Sequence, residues 1–307
     1  MKFLYWLEEI RVPGLNKFML TITHLGEETA FLALALIFFW CVDKKKGYYI
    51  MTVGFIGTMA NQFLKLWFRI PRPWVKDPNF TILEQAREAA GGYSFPSGHT
   101  QNAVGTFGSI AAASQKSWVK ILCVTLAVLV GLSRMYIGVH TPQDVLIAAA
   151  MALILVFGLK PVIFKGGDKA MKILLSVMIA MALGLLAFVE LYPFPEDVDV
   201  HNLESGVKNA YTMIGSLAGV AVVYVLDEKR VRFSEKAPLP GQILKGVLGL
   251  AVVLLVKEGL RTPLEALFAG HMAARAVRYF LLVIVAGILW PMTFRFWAKV
   301  GNKEKNV

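Results

Sequence analysis

Tyr93-Ser94-Phe95-Pro96-Ser97-Gly98-His99-Thr100 stands at the mouth of an apolar segment. Proline cannot extend a helix, a serine oxygen caps free amides, and glycine lets backbone approach a ligand, so Pro96-Ser97-Gly98 is a natural helix start. The free N–H groups of such a terminus attract anions, phosphate above all. His99 then falls within one turn of an anion-binding point. Taken alone, the stretch fits a capped helix with a surface histidine better. Two other stretches reverse that preference.

The chain around it has 307 residues, 56% hydrophobic and 12% aromatic, with a mean hydropathy of +0.58. Only 17% of residues are charged, below the roughly 25% usual for soluble domains. Apolar runs recur along most of the length, which makes a polytopic, all-α membrane protein the expected class. The N-terminal Met1–Ile10 run is short and carries Glu8 and Glu9, unlike a cleavable signal peptide. Cys41 and Cys123 fall in apolar runs, far from disulfide or metal-ligand spacing, and read as buried packers.

Residues 1–24 interleave Phe3, Leu4, Trp6, Leu7 and Ile10 with Lys2, Glu8, Glu9 and Arg11, the pattern of an amphipathic interfacial helix. Nine spans are expected after it. The first four run from about Leu25 to Val42, Tyr48 to Phe68, Gly98 to Ala113 and Trp118 to Val139. The next five run from Thr141 to Phe164, Ile173 to Leu191, Val207 to Leu226, Ile243 to Val256 and Tyr279 to Trp297. The eighth is the weakest, since a span normally needs about 20 residues. Between the second and third spans, Asn79–Gly92 reads as a short helix ended by Gly91-Gly92. No internal repeat or low-complexity segment is present.

Charge placement tests the count. With the Lys44-Lys45-Lys46 loop inside and the spans alternating, inner segments hold 18 basic and six acidic residues, and outer segments 14 and 15. The net charge of +11 is therefore +12 inside and −1 outside, as the positive-inside rule expects. The basic balance reflects topology and not a nucleic-acid partner. Arg261, His271, Arg275 and Arg278 fall on the outer side and are expected to act as interface anchors, as is His201 in an acidic loop.

This topology brings three polar stretches to one outer face: Lys65-Leu-Trp-Phe-Arg-Ile-Pro-Arg72-Pro73, Pro96-Ser97-Gly98-His99, and Ser133-Arg134-Met-Tyr-Ile-Gly-Val-His140-Thr-Pro-Gln-Asp144. Lys65 and Arg134 lie near the ends of apolar spans, where an unpaired charge costs roughly 2.5–3.5 kcal/mol. Snorkelling reduces that cost, so each alone is even odds for function. Three cations on one face need an anion, and a tetrahedral phosphate would satisfy them, with bidentate contacts available from Arg72 and Arg134. Thr141 is a good N-cap, Pro142 suits the first helical position and Asp144 falls at the third. His140 thus precedes the helix, and the Asp144 carboxylate can reach back to its ring or merely cap the helix. An imidazole held through Nδ1–H by a carboxylate presents its other nitrogen as a nucleophile.

These three stretches resemble the signature of the type 2 phosphatidic acid phosphatase family, which includes membrane lipid phosphatases, glucose-6-phosphatase and vanadium haloperoxidases. The pattern is Lys, six residues, Arg-Pro; then Pro-Ser-Gly-His; then Ser-Arg, five residues, His, three residues, Asp. All its defining positions are present, and the resemblance covers about residues 25–165. It implies that His140 attacks phosphorus to form a phosphohistidine, that Asp144 orients it, and that His99 protonates the leaving oxygen and then activates water. Lys65, Arg72, Ser97, Gly98 and Arg134 would hold the phosphoryl oxygens; Ser133 receives no direct role. No metal and no other cofactor is implied.

The expected architecture is an all-α integral membrane bundle: an interfacial segment 1–24, a haloperoxidase-like catalytic core 25–165, and a C-terminal transmembrane extension 166–307. The extension holds about four spans, the first completing the core. The expected activity is hydrolysis of a lipid phosphate or diphosphate, of polyprenyl diphosphate, phosphatidate or phosphatidylglycerophosphate type. The site would face outward from the cell membrane. The expected partners are this lipid phosphate and the bilayer, with no nucleic acid and no obligate protein partner evident. A sugar-phosphate phosphatase and a phosphotransferase with an alcohol acceptor stay open as alternatives.

Overall fold

The computed structural model describes residues 1–87 and 90–301, and among them every regular element is helical. Two short helices open the chain, α1 (Lys2–Glu9) and α2 (Pro13–Thr23). Pro13 starts the second at a position where a missing N–H costs nothing. The single interfacial helix expected over 1–24 is therefore two helices. Next come α3 (Glu28–Ile37), prolonged by a π turn over Phe38–Val42, and α4 (Lys44–Phe68). Asp43 caps α4 by accepting the Lys46 N–H at 3.0 Å.

A short α5 (Pro73–Lys76) leads into a loop where only a 3-10 turn, Glu84–Ala86, stands in place of the helix expected over 79–92. Residues 88–89 of that stretch lie outside the described residues. The main bundle follows as α6 (Gly98–Ala113), α7 (Ser117–Tyr136), α8 (Pro142–Lys165) and α9 (Gly167–Leu191). Beyond it are α10 (Val200–Leu226), α11 (Leu239–Gly259), the short α12 (Arg261–Leu267) and α13 (Ala273–Ile284).

A helix stands at each of the nine expected spans, and their apolarity differs in an informative way. Six stretches are each long and apolar enough to cross a membrane: Ser117–Tyr136, Pro142–Lys165, Gly167–Leu191, Val200–Val231, Leu239–Leu267 and Ala273–Met292. Pro13–Gly26 and Glu28–Val42, bent by 56° at their junction, form a seventh when taken as one broken span. The doubtful eighth run thus grows into a full-length helix. The helices that fall short are α4 and α6. The first carries Asn61, Gln62 and Lys65, and the second is 16 residues long with His99, Gln101 and Asn102 in its first turns. Their polarity belongs to the site described below.

The helix α6 sits against α4, α7 and α8, while α4 also meets α3, α9 and α10 and so joins the two halves of the chain. One large apolar core runs through α3, α4, α9, α10 and α13. Backbones approach closely where α10 crosses α13: a Cβ on Gly215 would stand 2.0 Å from the Ala276 carbonyl oxygen, the small-residue packing that membrane helices use in place of a hydrophobic drive. On the outer surface of α7 and α8, Ile121, Val124, Leu146, Ile154 and Phe157 are exposed. Such a belt is stable against lipid and not against water. The protein is a multi-pass membrane protein.

Candidate active site

The end of α7 sets the first piece of the site. Its last turn closes with the Val139 and His140 amides both donating to the Arg134 carbonyl at 3.2 Å. Gly138 makes this reversal possible with φ of 89°, a conformation that costs glycine little. The chain is thereby turned so that His140 is buried beside Arg134. A complete capping box then starts α8: Thr141 Oγ1 accepts the Asp144 N–H at 3.3 Å, and Asp144 Oδ2 accepts the Thr141 N–H at 2.8 Å. The same Oδ2 accepts from Ser94 Oγ at 2.6 Å and lies 3.5 Å from His140 Nδ1. Asp144 thus does both things its position allowed, capping the helix while facing the imidazole. The His140 approach is longer than a formed hydrogen bond, and catalytic contacts of this kind tighten when substrate is bound.

The Arg72 guanidinium forms the second piece. Its Nε donates to Gly92 O at 3.0 Å, its Nη2 to Gly91 O at 2.8 Å, and its Nη1 to Val139 O at 2.9 Å and to His140 Nε2 at 2.9 Å. A guanidinium has donors only, so His140 Nε2 is the acceptor and the ring proton belongs on Nδ1, towards Asp144. Burial, reinforced by Arg72, Arg134 and Lys65, holds the His140 pKa well below the usual imidazole range. The ring is therefore neutral at neutral pH, with its Nε2 lone pair accepting from Arg72. Burial also lowers Arg72 to about 10, while Asp144 pulls it the other way; it remains a cation.

Lys65, in the last turn of α4, donates through Nζ to the Tyr93 carbonyl, tying α4 to the Pro-Ser-Gly-His stretch. Arg134 Nη1 donates to Thr23 Oγ1 at 2.8 Å, and its buried Nε has no hydrogen-bond partner. Ser97 caps α6, its Oγ accepting from Thr100 N at 3.4 Å and Thr100 Oγ1 at 2.9 Å. Ser133, fully buried, donates to Val130 O at 2.7 Å.

Six of the eight expected site residues line one cavity of about 390 Å³: Lys65, Arg72, Gly98, His99, Arg134 and His140. The other two, Ser97 and Asp144, stand behind the wall and hold it in shape. A Cβ at Gly98 would meet nothing closer than Asn61 Oδ1 at 3.7 Å. Protein packing therefore leaves room at Gly98, and the free space lies where a ligand would approach.

Sequence reasoning missed several neighbours. Glu27, Glu28, Asn61, Gln62, Gln101 and Asn102 share the cavity; each is a polar residue one turn or less from a motif residue or at the mouth of α3. Ser205 and Asn209 arrive from α10, with no local signal to announce them. The amino-terminal segment also contributes. Arg11 donates to Tyr136 O at 3.1 Å and Thr81 O at 3.0 Å, and Tyr5 donates to Asp77 Oδ2 at 2.9 Å. Leu4 and Leu7 are buried with Phe80, Ile82 and Val139, so α1 straps the loop after α5 across the end of α7. Among the described residues, no group of three or more His, Cys, Asp or Glu side chains converges as metal ligands would.

Comparison with known proteins gives two family matches: the PAP2 superfamily over residues 45–168, which include every motif position, and "PAP2 superfamily phosphatase, transmembrane extension" over residues 211–301. Phosphatidylglycerophosphatase B of Bacillus subtilis (strain 168) is 34% identical over 176 residues, covering 53% of this chain and 80% of that protein. Undecaprenyl-diphosphatase BcrC of the same organism is 32% identical over 129 residues, 41% of this chain and 64% of that one. The crystal structure of the first transmembrane PAP2-type phosphatidylglycerolphosphate phosphatase from Bacillus subtilis matches with 33% identity and a TM-score of 0.44, over 51% of this chain and 80% of that chain. With one-third identity sustained over four-fifths of a relative's length, and the three motif stretches inside the family match, the chain belongs to the PAP2 superfamily of phosphoric ester hydrolases.

Proposed function

We propose that the protein hydrolyses the phosphomonoester or diphosphate of a membrane lipid through a phosphohistidine on His140. The observation that carries the lipid reading is Glu28, which lines the catalytic cavity and also an apolar slot of about 80 Å³. That slot is walled by Leu32 and Leu36 of α3, Phe39 of the π turn after it, Val220 of α10 and Leu282 of α13. A phosphorylated headgroup suits the first space and its hydrocarbon chain the second. Both named relatives act, by their names, on lipid phosphates or diphosphates.

On this reading the His140 Nε2 lone pair attacks phosphorus, and the bond to the leaving oxygen breaks as N–P forms. His99 delivers a proton to that oxygen. The imidazolium left on His140 keeps its Nδ1 proton against Asp144. Water then attacks the phosphohistidine, giving its proton to His99, and the N–P bond breaks to release phosphate and neutral His140. Arg72, now donating to Nε2, would turn its Nη1 to a phosphoryl oxygen beside Lys65 and Arg134, where charge develops in the transition state. Ser97 would act through its cap on α6. Residues 25–165 carry this chemistry, and 166–307 close the cavity through Ser205 and Asn209.

The comparison that tests the substrate class uses a long-chain lipid phosphate, its short-chain analogue and glucose 6-phosphate in the same micelles. Each methylene held in an apolar slot contributes about 0.8 kcal/mol. That energy is common to ground and transition states, so longer chains should lower KM more than they raise kcat. A kcat/KM for glucose 6-phosphate equal to the long-chain value would replace the lipid by a sugar phosphate.

The positive-inside partition supports a site on the outer face of the cell membrane, with the N-terminus outside. Single cysteines at Lys45 and in the inner loop at Lys236 are expected to resist an impermeant thiol reagent in intact cells, whereas one at Asp199 reacts. Labelling at Lys45 with protection at Asp199 would invert the assignment.

A further inference from the structure

A second cavity, of about 280 Å³, is lined in part by α10 and shares no lining residue with the catalytic one. Lys208 of α10, Arg261 of α12 and Arg275 and Arg278 of α13 line it, with Glu265 as the one lining carboxylate. Cations from three helices, with Arg261, Arg275 and Arg278 among the expected interface anchors, are thus gathered round one space.

Their existing partners do not account for the gathering. Lys208 pairs with Glu204 at 3.1 Å and Arg261 with Glu265 at 3.3 Å, both in exposed ion pairs, which are weak. Arg275 Nε donates at 2.6 Å to a neutral acceptor, Thr212 Oγ1. Arg278 is 7% exposed, its Nε has no hydrogen-bond partner, and its guanidinium lies beside the Tyr279 ring. Among the described residues, neither Arg275 nor Arg278 forms an ion pair. Two guanidiniums one turn apart on the same helix repel each other, and a buried donor without an acceptor costs free energy. An anion seated between them relieves both penalties, and the planar fork of arginine matches phosphate oxygens in particular.

The geometry points to a phosphate-binding site here, for a phosphate group carried either by the headgroup of an anionic phospholipid or by a free anion. It is separate from the catalytic reading. On α10, Ser205 and Asn209 line the catalytic cavity while Lys208 lines this one.

The test is equilibrium binding of radiolabelled inorganic phosphate to the purified full chain in dodecyl maltoside. R275Q/R278Q is expected to bind one phosphate fewer per chain than wild type. Arg261 and Lys208 sit at the exposed rim, so K208Q/R261Q should fold normally and weaken that same phosphate by about threefold. Dioctanoyl phosphatidylglycerol displacing the phosphate lost in R275Q/R278Q would identify a lipid headgroup as the occupant, and failure to displace it a free anion; either result retains the site. Unchanged stoichiometry and affinity in R275Q/R278Q overturns the inference. If that variant does not fold, unchanged phosphate affinity in K208Q/R261Q overturns it instead.

Discussion

His140→Ala should lose about four or more decades of kcat, the order of loss that follows removal of a nucleophile from a cooperating set. The expectation rests on how His140 is held. His140 lines the cavity, its Nε2 already accepts a hydrogen bond from Arg72 at 2.9 Å, and its Nδ1 lies 3.5 Å from Asp144. No other imidazole in the cavity is placed to substitute: His99 is in the first turn of α6, and the proposed mechanism needs it for protons. Steady-state phosphate release with a lipid phosphate, alongside a thermal melt to verify folding, measures the effect. His99→Ala should differ in kind, retaining slow phosphoenzyme formation with substrates whose leaving group needs no proton. A folded His140→Ala enzyme with a tenth of wild-type activity would rule out the covalent route.

How much of this was legible in the chain can be argued residue by residue. Thr141-Pro142-Gln143-Asp144 announced its capping box outright, because Ncap, N1 and N3 preferences are local and depend on three or four residues. The motif cations were also readable: a lysine or arginine at the end of an apolar run carries a cost that function can explain. What could not be read was the use of Arg72 and Lys65 as structural ties. Their partners are backbone carbonyls of Gly91, Gly92, Tyr93 and Val139, and a carbonyl has no residue identity to recognise. Ser94 was in plain view inside the opening stretch, yet its bond to Asp144 depends on tertiary closure.

The same distinction explains the fold. The apolar spans α7 to α10 advertised themselves, α11 only in part, and Pro13 marked the split of α1 from α2, whereas the break at Gly26–Glu27 depends on packing that composition does not encode. Residues 1–24 looked amphipathic because they are; their apolar side meets the loop after α5 and α7 as well as any membrane surface. Ser205 and Asn209 were beyond reach for another reason. They approach the cavity only because α10 packs on α4, and an α10–α4 pairing leaves no trace in either helix alone.

Arg72→Lys should reduce kcat/KM by about 10²–10³, the usual consequence of removing a preorganised donor from developing transition-state charge, although the formal charge is retained. Arg72 meets three carbonyls and an imidazole nitrogen at once, in four directions fixed by the planar fork. A lysine offers three donors from one point on a flexible stem, so it can satisfy the loop carbonyls or reach the phosphoryl group, and not both. Each buried carbonyl left without its donor costs roughly 1–3 kcal/mol, so the melting temperature should fall together with the rate. Arg69→Lys is the control: Arg69 lies three residues away, and its side chain donates to Leu66 O without lining the cavity. Its activity should remain within about twofold of wild type, as for a substitution away from the site. Parallel kinetics and melts of the two variants separate the effects. If Arg72→Lys melted earlier but kept its kcat/KM, Arg72 would be a staple for the loop alone, and Lys65 and Arg134 would be left to meet the phosphoryl charge.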